Sequence, residues 1–143
     1  MRAMMTIRYR SDLEGIAWST LKAALAADNF DNGRTPEQLQ RSFENSFAVS
    51  IAWLDEQIVG TARVLSDQVC NAYLVDVWTA SPFRKHGIAR EMITRLGHLL
   101  HGQHVYLQAD GDSVDFYRRL GFREQPAGMS CVVGHWLVNE PRD

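Results

Sequence analysis

Cysteine is scarce in this sequence, with only two among 143 residues. Cys70 and Cys131 lie far apart and show no CxxC spacing, which is typical of free thiols in a reducing compartment. A chain of this length can bury a sizeable core without disulfides. We therefore expect a cytoplasmic protein that is stabilised by packing alone.

Long apolar runs are also missing. The stretch LKAALAA at residues 21–27 is much shorter than the ~20 apolar residues that cross a membrane as a helix. The N-terminal stretch MRAMMTIRYR contains no apolar segment of the kind found in signal peptides. We therefore expect no signal peptide and no membrane partner.

Neither sign of charge dominates, because 15 Lys and Arg stand against 17 Asp and Glu and the net charge is −2. Such a balance provides no field for a polyanion, so we expect no nucleic-acid partner. The sequence also lacks the phosphate-binding patterns GxxxxGK[ST] and GxGxxG. Nucleoside triphosphates and dinucleotides are therefore not favoured as ligands.

A metal site is not expected either. His98, His101 and His104 are spaced by three residues. On a helix such residues fan around the axis, and no cysteine or carboxylate converges with them.

The alternation of apolar and polar residues predicts a single domain over 1–143 with mixed α/β architecture. A mostly antiparallel sheet in one layer should carry helices on both faces, in the order β-α-α-β-β-β-α-β-α-β. Asp12 and Thr35 are the expected N-caps of the first two helices. The predicted strands are 6–10, 47–54, 58–66, 71–79, 104–109 and 129–138, and the predicted helices are 13–27, 36 to about 45, 88–100 and 113–120.

The stretch FRKHGIAR at residues 83–90 joins a predicted strand to a predicted helix. It offers no Asp, Asn or Ser as an N-cap, so the first amide groups of the helix are left without a partner. Gly87 supplies a bare backbone, and the helix dipole makes this end partly positive. Such a turn is typical of a site for phosphate or pyrophosphate. The alternative is a solvated basic surface.

A second motif, FYRRLGF at residues 116–122, follows the next predicted strand. The pattern Arg-x-x-Gly-x-Ala after one strand and Phe-Tyr-x-x-x-Gly-Phe after the next resembles the GNAT superfamily of N-acetyltransferases. The resemblance extends over nearly the whole chain, since the element order is also similar. GTARVLSD, FYRRLGF and PAGM more narrowly resemble the arylalkylamine-type branch.

The resemblance implies that the turn holds the pyrophosphate of acetyl-coenzyme A and that the preceding strand pairs with its pantetheine arm. Ser81 stands where the family usually has proline, and Pro82 follows it. Because the proline is displaced by one residue, the bend from the strand into the turn is expected to be displaced by one residue as well. The implied cofactor-binding residues are Val77, Trp78, Thr79, Arg84, Lys85, His86, Gly87, Ile88, Ala89 and Arg90.

Tyr117 matches the family tyrosine that protonates the departing thiolate. A phenol with pKa ~10 can donate to a thiolate whose conjugate acid has pKa ~8.5; the alternative is that Tyr117 only packs. Asp76 lies inside an apolar strand, where desolvation would raise its basicity, and is the candidate general base. Its alternative role is structural. Asp67 and Glu44 are weaker candidates that would attract a cationic amine.

The resemblance thus implies an acetyl-coenzyme A-dependent N-acetyltransferase, acting on the primary amine of a small molecule by direct attack on the thioester. One alternative is an acetylase of protein N-termini or lysines, and another is a coenzyme A-binding sensor without catalysis. We expect the first two helices, the loop DNFDNGRT and the tail around PAGMSC to set acceptor specificity. The chain is expected to be a monomer or a homodimer.

Overall fold

A computed structural model describes residues 5–138. It confirms the mixed α/β class and nearly all of the predicted elements. The strands are β1 (Arg8–Arg10), β2 (Ala48–Leu54), β3 (Gln57–Ser66), β4 (Asn71–Thr79) and β5 (His104–Tyr106), and the helices are α1 (Trp18–Ala27), α2 (Pro36–Glu44), α3 (Ile88–Gly97) and α4 (Val114–Arg119).

The five strands form one sheet in the order β1-β2-β3-β4-β5. Neighbouring strands are antiparallel except β4 and β5, which are parallel and connected through α3. A parallel pair needs such a crossover, because a tight turn can join only antiparallel strands. The predicted mostly antiparallel sheet is therefore confirmed.

Helices cover both faces of the sheet, as predicted. Leu21 and Leu25 of α1 and Leu39 and Phe43 of α2 pack on Ile51 and other residues of one face. The other face packs against α3; its buried residues include Ala52, Val64, Leu74, Ile88, Met92 and Leu96. Alternation of side chains along β2 places Ile51 and Ala52 on opposite faces.

The beginning of α2 follows the sequence prediction closely. Thr35 accepts a hydrogen bond from the amide of Gln38, and the Gln38 side chain accepts one from the amide of Thr35. This reciprocal arrangement satisfies two amides at the helix start. Arg34 directly precedes this capped turn.

Two predicted features are wrong. The first helix begins at Trp18 with Ala17 as its N-cap, whereas Asp12 accepts hydrogen bonds from Arg10 and from the amide of Glu14. No strand forms over 129–138; within the described chain the sheet ends at β5. The sequence there has the composition of a strand, but a strand also requires a hydrogen-bonded neighbour.

A bulge interrupts β4. The pairing with β3 passes from Arg63 opposite Val75 to Thr61 opposite Trp78, so two residues, Asp76 and Val77, stand against Ala62 alone. Asp76 takes the left-handed conformation, with φ 55°. Because of this extra residue, the alternation of β4 changes face.

The buried residues on either side of the bulge show the change. Ala72 and Leu74 pack against the α3 cluster, whereas Trp78, an even number of residues further on, packs under α1 and α2. Val77 now takes the α3 side. Side chains at even-numbered positions of β4 therefore face α3 before the bulge and face α1 and α2 after it.

We predict that Gly60→Ala destabilises the fold by about 1–3 kcal/mol through overpacking. A Cβ at this position would lie 3.1 Å from Ile88 Cγ2 and from Met92 Cε, where α3 approaches the sheet. Gly97→Ala, within α3, is the matched control, because a Cβ there meets nothing within 4 Å. Urea unfolding of both variants measures the difference, and an equal effect would contradict close packing at Gly60.

Candidate active site

The site begins where β4 and β5 separate. β5 pairs with β4 only through the register 71–73 against 104–106, and β4 then continues to Thr79. Beyond Tyr73 the outer edge of β4 has no strand partner among the described residues. Its backbone groups therefore face the space between the two strands, which we call the slot.

The turn after β4 exposes backbone amides. Lys85 and Gly87 both take the left-handed conformation, with φ 67° and 80°. Gly87 is the N-cap of α3 and makes no side-chain capping hydrogen bond. Within 5–138 the amides of 85–90 have no acceptor. A Cβ at Gly87 would meet nothing within 4 Å, so the approach to these amides is open.

Hydrogen bonds fix this turn to the end of β4. Arg84 Nε donates to the carbonyl oxygen of Thr79 at 3.1 Å, so the arginine side chain holds its own turn in place. The Thr79 hydroxyl oxygen is buried and has no hydrogen-bond partner in the described part of the chain. A polar group of a ligand lying in the slot could satisfy it.

Asp28, the C-cap of α1, is the second anchor of the turn. Its carboxylate accepts hydrogen bonds from Trp78 Nε1 at 2.9 Å, from the Ser81 amide at 3.1 Å and from the Ser81 hydroxyl. Arg84 approaches the same carboxylate to 3.7 Å. Hydrogen bonding by Ser81, above all, lowers the pKa of Asp28, so it is an anion at neutral pH.

Tyr117 lies on α4 beyond the end of β5. It is half-buried, and its ring makes edge contacts with Phe116 and Phe122 at 5.1 and 5.7 Å between centroids. Its hydroxyl makes no hydrogen bond to any described residue. Burial first, and the negative charge of Asp110 second, raise the pKa of Tyr117 above its ordinary value. The phenol therefore stays protonated and can donate.

The Asp76 carboxylate is bound by two arginine side chains. Arg34 grips its two carboxylate oxygens at 2.9 and 3.0 Å, and Arg63 Nε donates at 2.6 Å. All three side chains are nearly buried, with 6–12 % exposed. Burial pushes the pKa of Asp76 up, but the two guanidinium groups outweigh it, and the net result is a lowered pKa. The expected increase in basicity is wrong.

The arginines around Asp76 also contact α2. Arg34 donates to the Ser42 hydroxyl, and Arg63 donates to the Ser42 carbonyl oxygen and lies over the Phe43 ring. The Asp76 side chain thus lies on the α1–α2 side of the sheet. Tyr117 packs against the opposite, α3, side. The structure does not bring the two predicted catalytic side chains together.

The other candidate carboxylates serve different purposes. Asp67 caps its own loop by accepting from the amides of Val69, Cys70 and Asn71, which lower the pKa of Asp67 to about 2. It lies at the start of β4, at the opposite end from the slot. Glu44 is hydrogen-bonded to Gln40 on the surface of α2. Neither is positioned to attract an amine at the slot.

A cavity of about 720 Å³ is lined in part by Tyr117. β5, α4 and the segment 120–126 line it. The tail that follows is largely exposed and returns to α2, where Gln38 Nε2 donates to the Leu137 carbonyl oxygen at 3.3 Å. The tail therefore contributes to the same side of the molecule as the loop between α1 and α2.

Across 5–138 no three metal-binding side chains cluster, and none of the helices there has the length and apolarity to span a membrane.

Sequence reasoning missed Asp28, Arg34 and Arg63. A usable signal was present for one pair: Arg63 and Asp76 are opposite charges inside two apolar runs that were predicted to be consecutive strands. Buried charges of this kind are usually paired. Asp28 and Arg34 lie in a loop, where composition carries no information about distant partners.

We predict that Asp76→Asn destabilises the protein by about 3 kcal/mol at neutral pH, because two buried guanidinium groups lose their carboxylate. The folded-state pKa of Asp76 is lowered, so its contribution is complete above the ordinary value of 3.8 and is lost as the pH falls through the folded value. The gap between wild type and variant should therefore shrink below about pH 4. Urea unfolding over a pH series measures it, and a gap independent of pH would contradict the prediction.

Comparison with known proteins agrees with this geometry. Residues 14–137 match the acetyltransferase (GNAT) domain. A histone acetyltransferase of Glycine max, TAP1, is 32% identical over 87 residues, which are 59% of this chain and 37% of that protein. The chain spans about a third of the length of the curated relatives it matches.

Solved structures share the fold. A candidate acetyltransferase from Deinococcus radiodurans R1 superposes with a TM-score of 0.78 at 26% identity, covering 92% of each chain. A predicted acetyltransferase from Clostridium acetobutylicum, solved with acetyl-CoA, has a TM-score of 0.69 at 21% identity and covers 89% of this chain and 96% of its own. With its open β4 edge, its free-amide turn and the match over 14–137, the chain belongs to the GNAT acetyltransferase family.

Proposed function

We propose that the protein transfers the acetyl group of acetyl-CoA to the primary amine of a small molecule. The observation that carries this proposal is the row of free amides over 85–90, directly after the unpaired edge of β4. Backbone donors in these two places suit the pyrophosphate and the amide-containing arm of one extended ligand. Membership of the GNAT family supports the same ligand.

The residues of the turn would hold the pyrophosphate mainly through their backbone. Amides from Lys85 to Arg90 would donate to phosphate oxygens, and the side chains of Arg84, Lys85, His86 and Arg90 are at the surface, where they add charge. Val77, Trp78 and Thr79 would pair with the pantetheine arm along the β4 edge. The Trp78 ring is buried, so only its backbone is available for this.

Tyr117 would act as the general acid. The amine nitrogen forms its bond to the acetyl carbon while the carbon–sulfur bond breaks, and the thiolate takes the phenolic proton. A raised pKa is compatible with this role, because the phenol keeps its proton until the thiolate forms beside it. The phenolate then recovers a proton from water, and the amine loses its own proton to water, since Asp76 is engaged by two arginines.

A protein acceptor is the second candidate. The Glycine max relative at 32% identity carries the name histone acetyltransferase, which describes that longer protein. Lysine is itself a primary amine, so the same chemistry at the slot would serve either acceptor. A mass-spectrometric screen of small amines, lysine peptides and N-terminal peptides with acetyl-CoA separates the two: acetylation confined to peptides would overturn the small-molecule assignment.

The expected cytoplasmic location stays a prediction, as does a monomeric or homodimeric state. Size-exclusion chromatography with light scattering tests the latter.

We predict that Tyr117→Phe lowers kcat about 100-fold, because general acid catalysis typically contributes that much or more. The dissociation constant for acetyl-CoA should change less than about twofold, since the ring and its contacts remain. Tyr106→Phe is the matched control, because it also removes a tyrosine hydroxyl. That hydroxyl hydrogen-bonds His104 within β5. Steady-state kinetics and calorimetric titration give the two quantities.

Unchanged kcat in Tyr117→Phe would remove the general-acid role while leaving the transferase proposal intact. Binding of acetyl-CoA by the wild type without transfer to any amine or peptide would instead favour a coenzyme A-binding sensor.

A bulky residue at Gly87 should weaken acetyl-CoA binding more than loss of a charge does. Gly87→Val places a β-branched side chain at φ 80° over the open amides, and we expect at least about tenfold weaker binding. Lys85→Ala should cost about threefold, because an exposed charge interacts weakly through water. Calorimetric titration of both variants decides, and the reverse order would show that side-chain charge dominates the site.

A further inference from the structure

The backbone at Asp76 is unusual for its location. Six residues other than glycine have positive φ in the described chain, and five of them, Asn29, Asn32, Asp55, Gln68 and Lys85, lie in loops or turns. Asp76 alone lies inside a strand. A left-handed residue interrupts a strand and is unfavourable unless its surroundings enforce it.

The surroundings hold both ends of this residue. The Thr61 hydroxyl, which is fully buried, donates to the Asp76 carbonyl oxygen at 2.9 Å. The carboxylate is held by three hydrogen bonds from Arg34 and Arg63. Asp76 is therefore fixed at its main chain by Thr61 and at its side chain by the two arginines.

Stability alone is a weak reason for such a cluster. Removing three charged side chains from water is costly, and apolar replacements of similar volume are often as stable. The benefit lies in geometry, because a carboxylate that accepts two parallel hydrogen bonds from one guanidinium group has a defined orientation. Conformations of this kind accumulate where the backbone has a function.

That function follows from where the bulge lies. It falls between Tyr73, the last β4 residue that pairs with β5, and Thr79, the last residue of the strand. The bulge therefore decides which backbone groups of 76–79 face the slot. We propose that Arg34, Asp76 and Arg63 are positioning residues that hold the β4 bulge and thereby orient the backbone amides presented to the thioester carbonyl. This rests on the proposed acetyl transfer.

The first test needs no cofactor. Arg34→Lys keeps the charge but loses the fork that grips both carboxylate oxygens. Arg34→Met removes the charge as well. In ¹H–¹⁵N spectra both variants should shift the amide signals of 76–79, while signals over 48–54 in β2 stay in place. Unshifted signals over 76–79 would overturn the claim that the cluster holds the bulge.

The second test measures the thioester carbonyl group of bound acetyl-CoA. With acetyl-CoA labelled with ¹³C at the carbonyl, wild-type protein should lower the stretching frequency of the bound thioester relative to the free one. Arg34→Lys should return this frequency toward the free value and reduce kcat about tenfold or more, as loss of an oriented donor does, with KM for acetyl-CoA within about threefold. Arg34→Met should show the larger change.

Val64→Ala is the control for stability, because it removes buried methyl groups from the α3 face of β3, the sheet face opposite to the ion cluster. It should lower the denaturation midpoint while leaving the carbonyl frequency and kcat near wild type. If Val64→Ala and Arg34→Lys lose the same amount of stability and the same fraction of kcat, the positioning role is overturned. No acetyl-CoA binding by the wild type would refute the proposed function instead, and the amide signals of 76–79 would still decide whether the cluster holds the bulge.

Discussion

The ion cluster of Arg34, Asp76 and Arg63 connects three separate segments of the chain. It joins the loop before α2, the middle of β3 and the bulge of β4 through hydrogen bonds of 2.6–3.0 Å. The α1–α2 pair is thereby fixed to the strand that borders the slot. Without that connection the two helices would rest on the sheet through the Asp28–Trp78 hydrogen bond and through apolar contacts, which are not directional.

The site itself consists mainly of backbone. Free amides over 85–90 and the unpaired edge of β4 are properties of chain conformation, so few side chains reveal them. Two left-handed residues shape the turn, and one shapes the strand. This is why Gly87 is informative in the sequence while Lys85, which takes nearly the same conformation, is not.

Local signals predicted most of the fold. The Thr35 N-cap, the strands β2 and β3, and the strand–turn–helix around Gly87 each depend on neighbouring residues, and each was confirmed. Asp76 was misread because its environment is set by Arg34, far away in the chain. The predicted strand over 129–138 failed for a related reason: composition describes the residue, whereas pairing depends on a partner.

Asp28 and Arg34 together have a consequence for how the α1–α2 loop can move. They stand at the two ends of the loop between α1 and α2, and each is bound to β4, Asp28 through Trp78 and Arg34 through Asp76. The intervening residues 29–33 therefore span two attachment points on the same strand. Neither end of this loop can move without breaking a hydrogen bond to β4.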